Sequence, residues 1–476
     1  MPSSDAPLLA ALRGLAAADT APFHMPGHHR AAAALPPDLP YALDITELPG
    51  FDDLHHPRGV LRDSMERAAA LWGSDAAYYC VNGSTGALLA GVRALTRQGD
   101  AVLVARNCHA SVFHAVELCG LHPHWLEPAW LPTAGLCGSL EPETLRAAMV
   151  NCPAATLCIV TSPTYEGVLS DIAALAKCAH AGGIPLLVDE AHGAHLGYCG
   201  GCGFPESAVR LGADLVVQSL HKTLPALTQT AVLHRCGGRV DPARLEHQLA
   251  VFQTSSPSYP LLASMDWLVS QPENWRRRCM TAWREQLRQV RAQCAGLLAL
   301  EDAQVDGTAC FALDPSKLVL DARRFGLTAE ALATRLRSRK IEPEYALGHV
   351  VLLMTAPLDP PTQTAHLFDV LPEPLREDHL MGSVVSTYRL PLLGVQALPL
   401  AKAMEQPAKS MPFAAAQGRI CAEYVWAYPP GIPLLVPGQQ VTAAFLAAVA
   451  ALTEAGGELR STHGKAGAIV CAGEEL

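Results

Sequence analysis

The chain has 476 residues, half of them hydrophobic and 17% charged, with no polar low-complexity tract, which predicts a folded protein with a large core and excludes a disordered one. Its 35 lysines and arginines against 45 aspartates and glutamates leave a net charge of −10, which argues against general nucleic-acid binding and suits a cationic small substrate. No run approaches the roughly 18 apolar residues that a membrane span needs.

The first residues, MPSSDAPLLAALRGLAAADT, lack the basic region and long apolar core of a secretory signal, and the fifteen cysteines, odd in number, are scattered from Cys80 to Cys471. Reduced thiols in a cytoplasm are the expectation. Further along, YYCVNGSTGALLAGVRALTRQGD (78–100) runs from a strand-like start into an amphipathic helix at Gly83-Ser84-Thr85-Gly86. Backbone N–H groups and two hydroxyls at a helix start form an anion cradle, or simply a cap; with no GK[ST] it is not a nucleotide P-loop.

Four short apolar runs follow: AVLVARN (101–107), TLCIVTSP (156–163), IPLLVDEAHG (184–193) and DLVVQSLHK (214–222). Each is too short for a core helix and is rich in leucine or β-branched residues, as strands buried on both faces are. Between them EPETLRAAMV opens with Pro142 near its first turn, and DIAALAKCAHAGG starts on an Asp cap and stops at Gly182 and Gly183. Strand and helix in alternation predict a mostly parallel sheet.

Polar residues collect where each strand ends: Asn107 and His109, Ser162 and Tyr165, Asp189 and His192, His221 and Lys222. Any one pair could be polar because strand ends surface, but four in agreement mark the carboxyl edge where open α/β sheets bind ligands. Between the last two runs, Cys199 and Cys202 in YCGGCG have no second pair and no His-x-x-x-His to complete four zinc ligands, so neither a metal nor a redox site is expected. The same segment fails the dinucleotide fingerprint.

Beyond Lys222, HRCGGRVDPARLEHQ (234–248) reads as turn-rich. Thr254, Ser255 and Ser256, ahead of a proline, read as a turn or helix cap. Residues 271–300 predict a long connecting helix with a solvated basic face. KLVLDARRFGLTAEALATRLRSRKIEPEY (317–345) predicts a strand, a capped helix and an extended exit, and the proline-rich APLDPPTQTAHL and LPEPLREDHL mark loops or a boundary. The expected organisation is an N-terminal segment (1–50), a large cofactor-binding domain (51–300) and a smaller C-terminal α/β domain (301–476).

A phosphate cradle, an acid and an imidazole at strand ends, and a lysine able to form a Schiff base are the set that pyridoxal phosphate asks for. At this point Ser-x-His-Lys-x-Leu (219–224) with Leu227-Thr228-Gln229, NGSTGA, RNCHAS, SPTYEG and VDEAHGAH resembles the Orn/Lys/Arg decarboxylase family. PFHMPGHH (22–29), DITELPGFDDLHHPRG (44–59), TSSPSY (254–259) and YPPGIPLLVPG (428–438) resemble family stretches too, so the likeness runs almost end to end and in order. It implies the aspartate aminotransferase fold, that is, fold type I with a large mostly parallel sheet domain and a smaller C-terminal α/β domain.

The resemblance also implies roles. Lys222 would bind the cofactor aldehyde, Asp189 would pair with the pyridinium nitrogen, and His109 would stack on the ring. Ser84, Thr85, Ser219 and His221 would surround the phosphate, His192 would join the cofactor-binding residues, and Thr254 and Ser255 would reach the neighbouring subunit's phosphate in a homodimer or an assembly of dimers. The implied reaction is decarboxylation of arginine, lysine or ornithine, with arginine favoured because the chain looks like the short form without an N-terminal wing domain. His109, His221 or the Lys222 amine would return the proton. The chain departs from the family at Gln439, where PGE is usual. Asp44, Glu47, Asp52 and Asp53, then Glu342 and Glu344, are the acids that could hold a distal cation, although for any one of them an ordinary solvated carboxylate is the expected reading. Two rival readings stay open: transamination or a lyase step on the same fold, and a non-catalytic binding or regulatory homologue.

Overall fold

The computed structural model describes residues 6–18, 24–30, 35–375, 394–428, 432–454, 458–463 and 467–472. Residues 22–23 of PFHMPGHH, 376–380 of the second proline-rich stretch and 429–431 of YPPGIPLLVPG lie outside the described residues. The chain divides into two compact units, one of Met1–Leu95, Pro185–Arg284 and Ala356–Leu358, the other of Thr96–Ile184, Glu285–Thr355 and Asp359–Leu476.

In the first unit the strand Leu186–Asp189 pairs in parallel with Leu215–Ser219. Ala231–Arg235 lies antiparallel to Leu215–Ser219 on one side and to Ala76–Cys80 on the other. Every residue of Leu186–Asp189 and Leu215–Ser219 is buried, which is why both stretches are continuous apolar runs without alternation. The helix Gly83–Leu95 lies close against these strands through Gly91, where a Cβ would meet Leu187 Cδ1 at 3.1 Å and Leu215 Cδ1 at 3.4 Å. A larger residue there would push the helix, and the hydroxyls of its first turn with it, off the sheet.

In the second unit, Ala101–Ala105 pairs in parallel with both His122–Leu126 and Ala155–Thr161. The helix Pro142–Asn151 has its proline at the first position, and the Asp171 carboxylate accepts from Ala174 N at 2.9 Å to start Ile172–Ala181, whose cap is Gly182. Farther on, Lys317–Asp321, Val350–Met354 and Tyr345–Leu347 form an antiparallel sheet. Leu332 and Leu336 of the helix Ala329–Ser338 and Leu367 of Pro361–Val370 bury against that sheet, each contributing roughly 2 kcal/mol of transfer free energy. A last cluster around Phe445 joins the helix Ala443–Glu454 to the sheet centred on Val425–Tyr428.

All four apolar runs are strands, and both intervening helices stand where their caps place them. Two loop expectations are corrected. Residues 242–248, the end of the stretch read as turn-rich, belong to the helix Pro242–Phe252, because Asp241 accepts from Ala243 N at 3.0 Å and a proline at the first position costs no backbone hydrogen bond. Residues 361–370, read as proline-rich loop, form a helix that opens on Pro361 for the same reason. The long helix is Glu273–Gln293.

Candidate active site

The site in the first unit is built where two parallel strands stop and one helix starts. Leu215–Ser219 passes straight into a single helical turn, Leu220–Thr223, and this turn presents His221 and Lys222. Ser84, in the first turn of Gly83–Leu95, has its hydroxyl 2.6 Å from that of Ser219, and Thr85 is its neighbour on the same turn. Gly83 holds φ at +68°, and just ahead of it Val81 O accepts from Gln229 Nε2 at 2.5 Å. Gln229 itself sits at φ +82°, a conformation that a non-glycine residue keeps only where its surroundings hold it. The cradle and the loop after Lys222 are thereby tied together.

Lys222 Nζ lies 3.0 Å from His192 Nε2. The ammonium can only donate, so His192 accepts there as a neutral ring. His221 Nδ1 donates to Thr230 O at 2.9 Å; burial holds its protonation below the usual histidine range, against the Thr230 carbonyl, and the charge of Lys222 adds to the depression. Asp189, at the end of its strand, is buried and accepts from Ala191 N at 3.1 Å. Burial pushes its carboxyl above the ordinary range, and Lys222 and the Ala191 N–H pull the other way.

Beneath these groups lies a network that the sequence reading did not single out. Glu190 accepts from Ser207 Oγ at 2.6 Å, Gln218 Nε2 at 2.6 Å and Ala208 N at 2.8 Å, and Gln218 Oε1 in turn meets His234 Nε2 at 3.2 Å. Since Glu190 follows Asp189 and Gln218 precedes Ser219, the contact clamps the two strand ends to each other. The only local signal is an acid beside an acid in VDEAHG, which does not reveal a partner.

Thr254 and Ser255 are exposed; Thr254 Oγ1 accepts from Ser256 N at 3.2 Å, and the Thr254 carbonyl accepts from His55 Nε2 at 2.8 Å. Just before them, Phe252 O accepts from Asn82 Nδ2 at 3.3 Å and Gln253 Oε1 from Val81 N at 2.9 Å, so the segment runs along the entry to the cradle.

In the second unit His109 is the N-cap of Ala110–Leu118, its Nδ1 accepting from Ser111 N at 3.2 Å. Tyr165 donates to Glu344 at 2.5 Å, and the buried Tyr345 donates to the buried Glu166, whose carboxyl is pushed up by burial against that donor. Among the acids considered for a distal cation, Asp52 is occupied by the backbone. Its carboxylate accepts from Gly59 N at 2.7 Å, Arg58 N at 2.8 Å and Leu61 N at 3.1 Å, and although burial works upward, the Arg58 and Gly59 N–H groups, with those of Asp53 and Arg62, hold it below the ordinary range. Asp53 accepts from His55 N at 2.8 Å, Asp44 meets His28 at 3.2 Å and Glu342 pairs with Arg337 at 2.7 Å. Gln439 is buried, its Oε1 accepting from Val436 N at 3.2 Å.

The donor set of the first unit fits pyridoxal phosphate: hydroxyls at a helix N-terminus for a phosphate, a directed amine for an aldehyde and a buried carboxylate for a ring nitrogen. A buried hydroxyl, Thr223 Oγ1, also stands next to Lys222 without a hydrogen-bond partner. Fold and donor set together define a pyridoxal-phosphate enzyme of fold type I. A solved lysine decarboxylase of Francisella novicida superposes with a TM-score of 0.82 at 19% identity, covering 98% of this chain and 81% of its own. Residues 6–359 match the model of the Orn/Lys/Arg decarboxylase major domain, and residues 396–458 that of its C-terminal domain. An uncharacterised Bacillus subtilis protein, YaaO, is 35% identical over 446 residues, 92% of each chain. A Bacillus subtilis arginine decarboxylase is 30% identical over 465 residues, 93% of this chain and 92% of its own. The chain belongs to the Orn/Lys/Arg decarboxylase family of pyridoxal-phosphate enzymes.

Proposed function

We propose that this enzyme decarboxylates a basic amino acid, with arginine as its preferred substrate, in the cytoplasm and as a homodimer or an assembly of dimers. The observation that supports the reading is the Lys222 amine directed by His192 at 3.0 Å, with the buried carboxylate of Asp189 close enough for their charges to interact. Pyridoxal phosphate, when bound, supplies an electron sink for the bonding pair left behind as carbon dioxide departs.

In this reading Lys222 anchors the cofactor aldehyde, and His192 accepts from its amine and so fixes the direction of approach. Asp189 keeps a proton on the pyridine nitrogen; its negative charge is sustained by Lys222 and the Ala191 N–H against the cost of burial. Ser84, Thr85, Ser219 and His221 hold the phosphate together with the N–H groups of the helix start, and His109 stacks on the ring. His109, His221 or the Lys222 amine delivers the proton that replaces the carboxylate on the substrate α-carbon. Thr254 and Ser255 serve the phosphate of the neighbouring subunit. These roles belong to a large cofactor-binding domain of 51–300, preceded by a segment 1–50 and followed by a smaller domain 301–476.

The preference for arginine is supported by the 30% identity with an arginine decarboxylase over nearly the full length of both chains. The test is to incubate the cofactor-loaded protein separately with arginine, lysine and ornithine and to assay carbon dioxide, amine and keto acid. The expected outcome is one carbon dioxide per amine, no keto acid, and the fastest turnover with arginine. Keto acid in place of carbon dioxide overturns the decarboxylase reading, and fastest turnover with lysine or ornithine overturns only the substrate preference.

A further inference from the structure

The cysteine pair left aside by the site stands in the first unit, in the loop between the strands Leu186–Asp189 and Leu215–Ser219. Cys199 and Cys202 are the ends of a surface turn, Cys-Gly-Gly-Cys, and their sulfurs are 3.1 Å apart, within hydrogen-bonding reach and about one ångström beyond a disulfide bond. The turn can bring them together because Gly201 takes φ +73° and Gly203, just after it, φ +82°.

The turn is also held in place. Tyr198, before it, donates to Leu268 O at 2.9 Å, and Gly203 O, after it, accepts from Arg284 Nε at 2.8 Å. Thr281 Oγ1 lies 3.9 Å from Cys202 Sγ, and a Cβ on Gly201 would come within 3.9 Å of Arg277 Nη1. Arg277, Thr281 and Arg284 are spaced by four and three residues on one helix, so one edge of its solvated face runs beside the turn. Both flanks of the turn are fixed, and about one ångström separates its sulfurs from bonding distance.

We propose that Cys199 and Cys202 are a reversible dithiol–disulfide site, oxidised by exchange with a low-molecular-weight disulfide. Cys199, the more exposed of the two, is the attacking sulfur, and the buried Cys202 is the resolving one. The Cys199 thiolate attacks one sulfur of the small disulfide, a new S–S bond forms and one small thiolate leaves. The Cys202 thiolate then attacks the Cys199 sulfur and expels the second. Two electrons pass to the small disulfide, which ends as two thiols, and the protein ends as one intramolecular disulfide. Burial raises the Cys199 thiol to about 11, and the neighbouring Cys202 adds to the rise, so Cys199 rests as the thiol. The guanidiniums of Arg277 and Arg276 work the other way and favour the thiolate once it forms. Among the described residues no third His, Cys, Asp or Glu gathers with the pair as a metal site requires.

The test uses the full-length holoenzyme equilibrated in reduced and oxidised glutathione mixtures, quenched with an alkylating agent and digested with trypsin. The peptide between Lys177 and Arg210 carries Cys178, Cys199 and Cys202. On oxidation it should lose two hydrogens and two alkylation sites, fragmentation should place the bond between Cys199 and Cys202, and Cys178 should stay alkylated. Cys202→Ser should accumulate a glutathione mixed disulfide at position 199, whereas Cys199→Ser should accumulate far less at 202. Alkylation of both thiols throughout the series, a bond to Cys178, or a mixed disulfide at Cys199 that persists in the wild-type protein each overturns the proposal.

Discussion

Glu190 makes a prediction whose sign reverses with pH. Burial pushes its carboxyl from the ordinary 4.5 to about 8, even though Ala208 N, Ser207 Oγ and Gln218 Nε2 all donate to it and pull the other way. Below pH 4.5 the group is protonated in both the folded and the unfolded chain, and it contributes no pH dependence. Between 4.5 and about 8 the unfolded chain gives up the proton while the folded chain keeps it, so stability falls as pH rises. At about 1.4 kcal/mol per pH unit the fall amounts to ~5 kcal/mol by pH 8, after which it levels off.

Glu190→Gln abolishes that slope and brings its own cost. An amide oxygen can still accept from Ala208 N, but the amide nitrogen then faces the Gln218 nitrogen, donor against donor, and one such unmet group costs about 1–3 kcal/mol. The variant should therefore be less stable than wild type near pH 5 and more stable near pH 8. Guanidinium midpoints of the two proteins, compared at several pH values in that window, read the difference directly. Because the comparison is between a protein and its single variant, groups outside the Glu190 network cancel out; His234, which meets Gln218 and whose burial lowers its protonation to about 3, stays neutral in the folded chain across this window. Parallel pH profiles for the two proteins would refute a Glu190 that ionises late in the folded state.

Lys222→Ala should leave no cofactor that borohydride can fix to the protein, and a reducible adduct at an unchanged peptide would mean the anchoring lysine lies elsewhere. Asp189→Asn should still bind cofactor but lose about a hundredfold or more of its turnover, because a neutral amide cannot hold the ring proton; kcat near wild type would sink that role. Tyr345→Phe removes the donor from buried Glu166 and should destabilise the protein by about 1–3 kcal/mol in urea unfolding, whereas an unchanged midpoint would mean that water replaces the hydroxyl. Mixing Lys222→Ala chains with chains disabled at Thr254 and Ser255, once subunit exchange is shown by a tag pull-down, should restore roughly a quarter of wild-type activity if sites are shared across a two-fold axis. Exchange without recovery would assign those hydroxyls to their own chain.

What could be read from the sequence was whatever local chemistry dictates. Strands buried on both faces betray themselves as short unbroken apolar runs, and Asp171 and Pro142 mark helix starts whatever lies around them. The same rule explains the misreadings: Gly237 and Gly238 do sit in a bend, but Asp241 and Pro242 after it are a cap and a first helical residue, and Pro361 plays the same part. A proline is as much a helix beginning as a helix end, and only the residues after it decide.

The candidate site was read one residue at a time and not as a set of contacts. Ser84 and Ser219 are 135 residues apart in the chain, Lys222 and His192 are 30 apart, and Glu190 and Gln218 are 28 apart, so no periodicity or cap connects the members of any pair. What joins them is that Leu186–Asp189 and Leu215–Ser219 run parallel and end at the same edge, while the helix after Gly83 begins there. Parallel pairing puts the chemistry of both strands at one edge, and it leaves buried polar groups behind that edge that must satisfy one another. Glu190 and Gln218 do so across the strand pair, which makes the hydrogen bonds behind Asp189 and Ser219 as much a consequence of the fold as the ends those residues occupy.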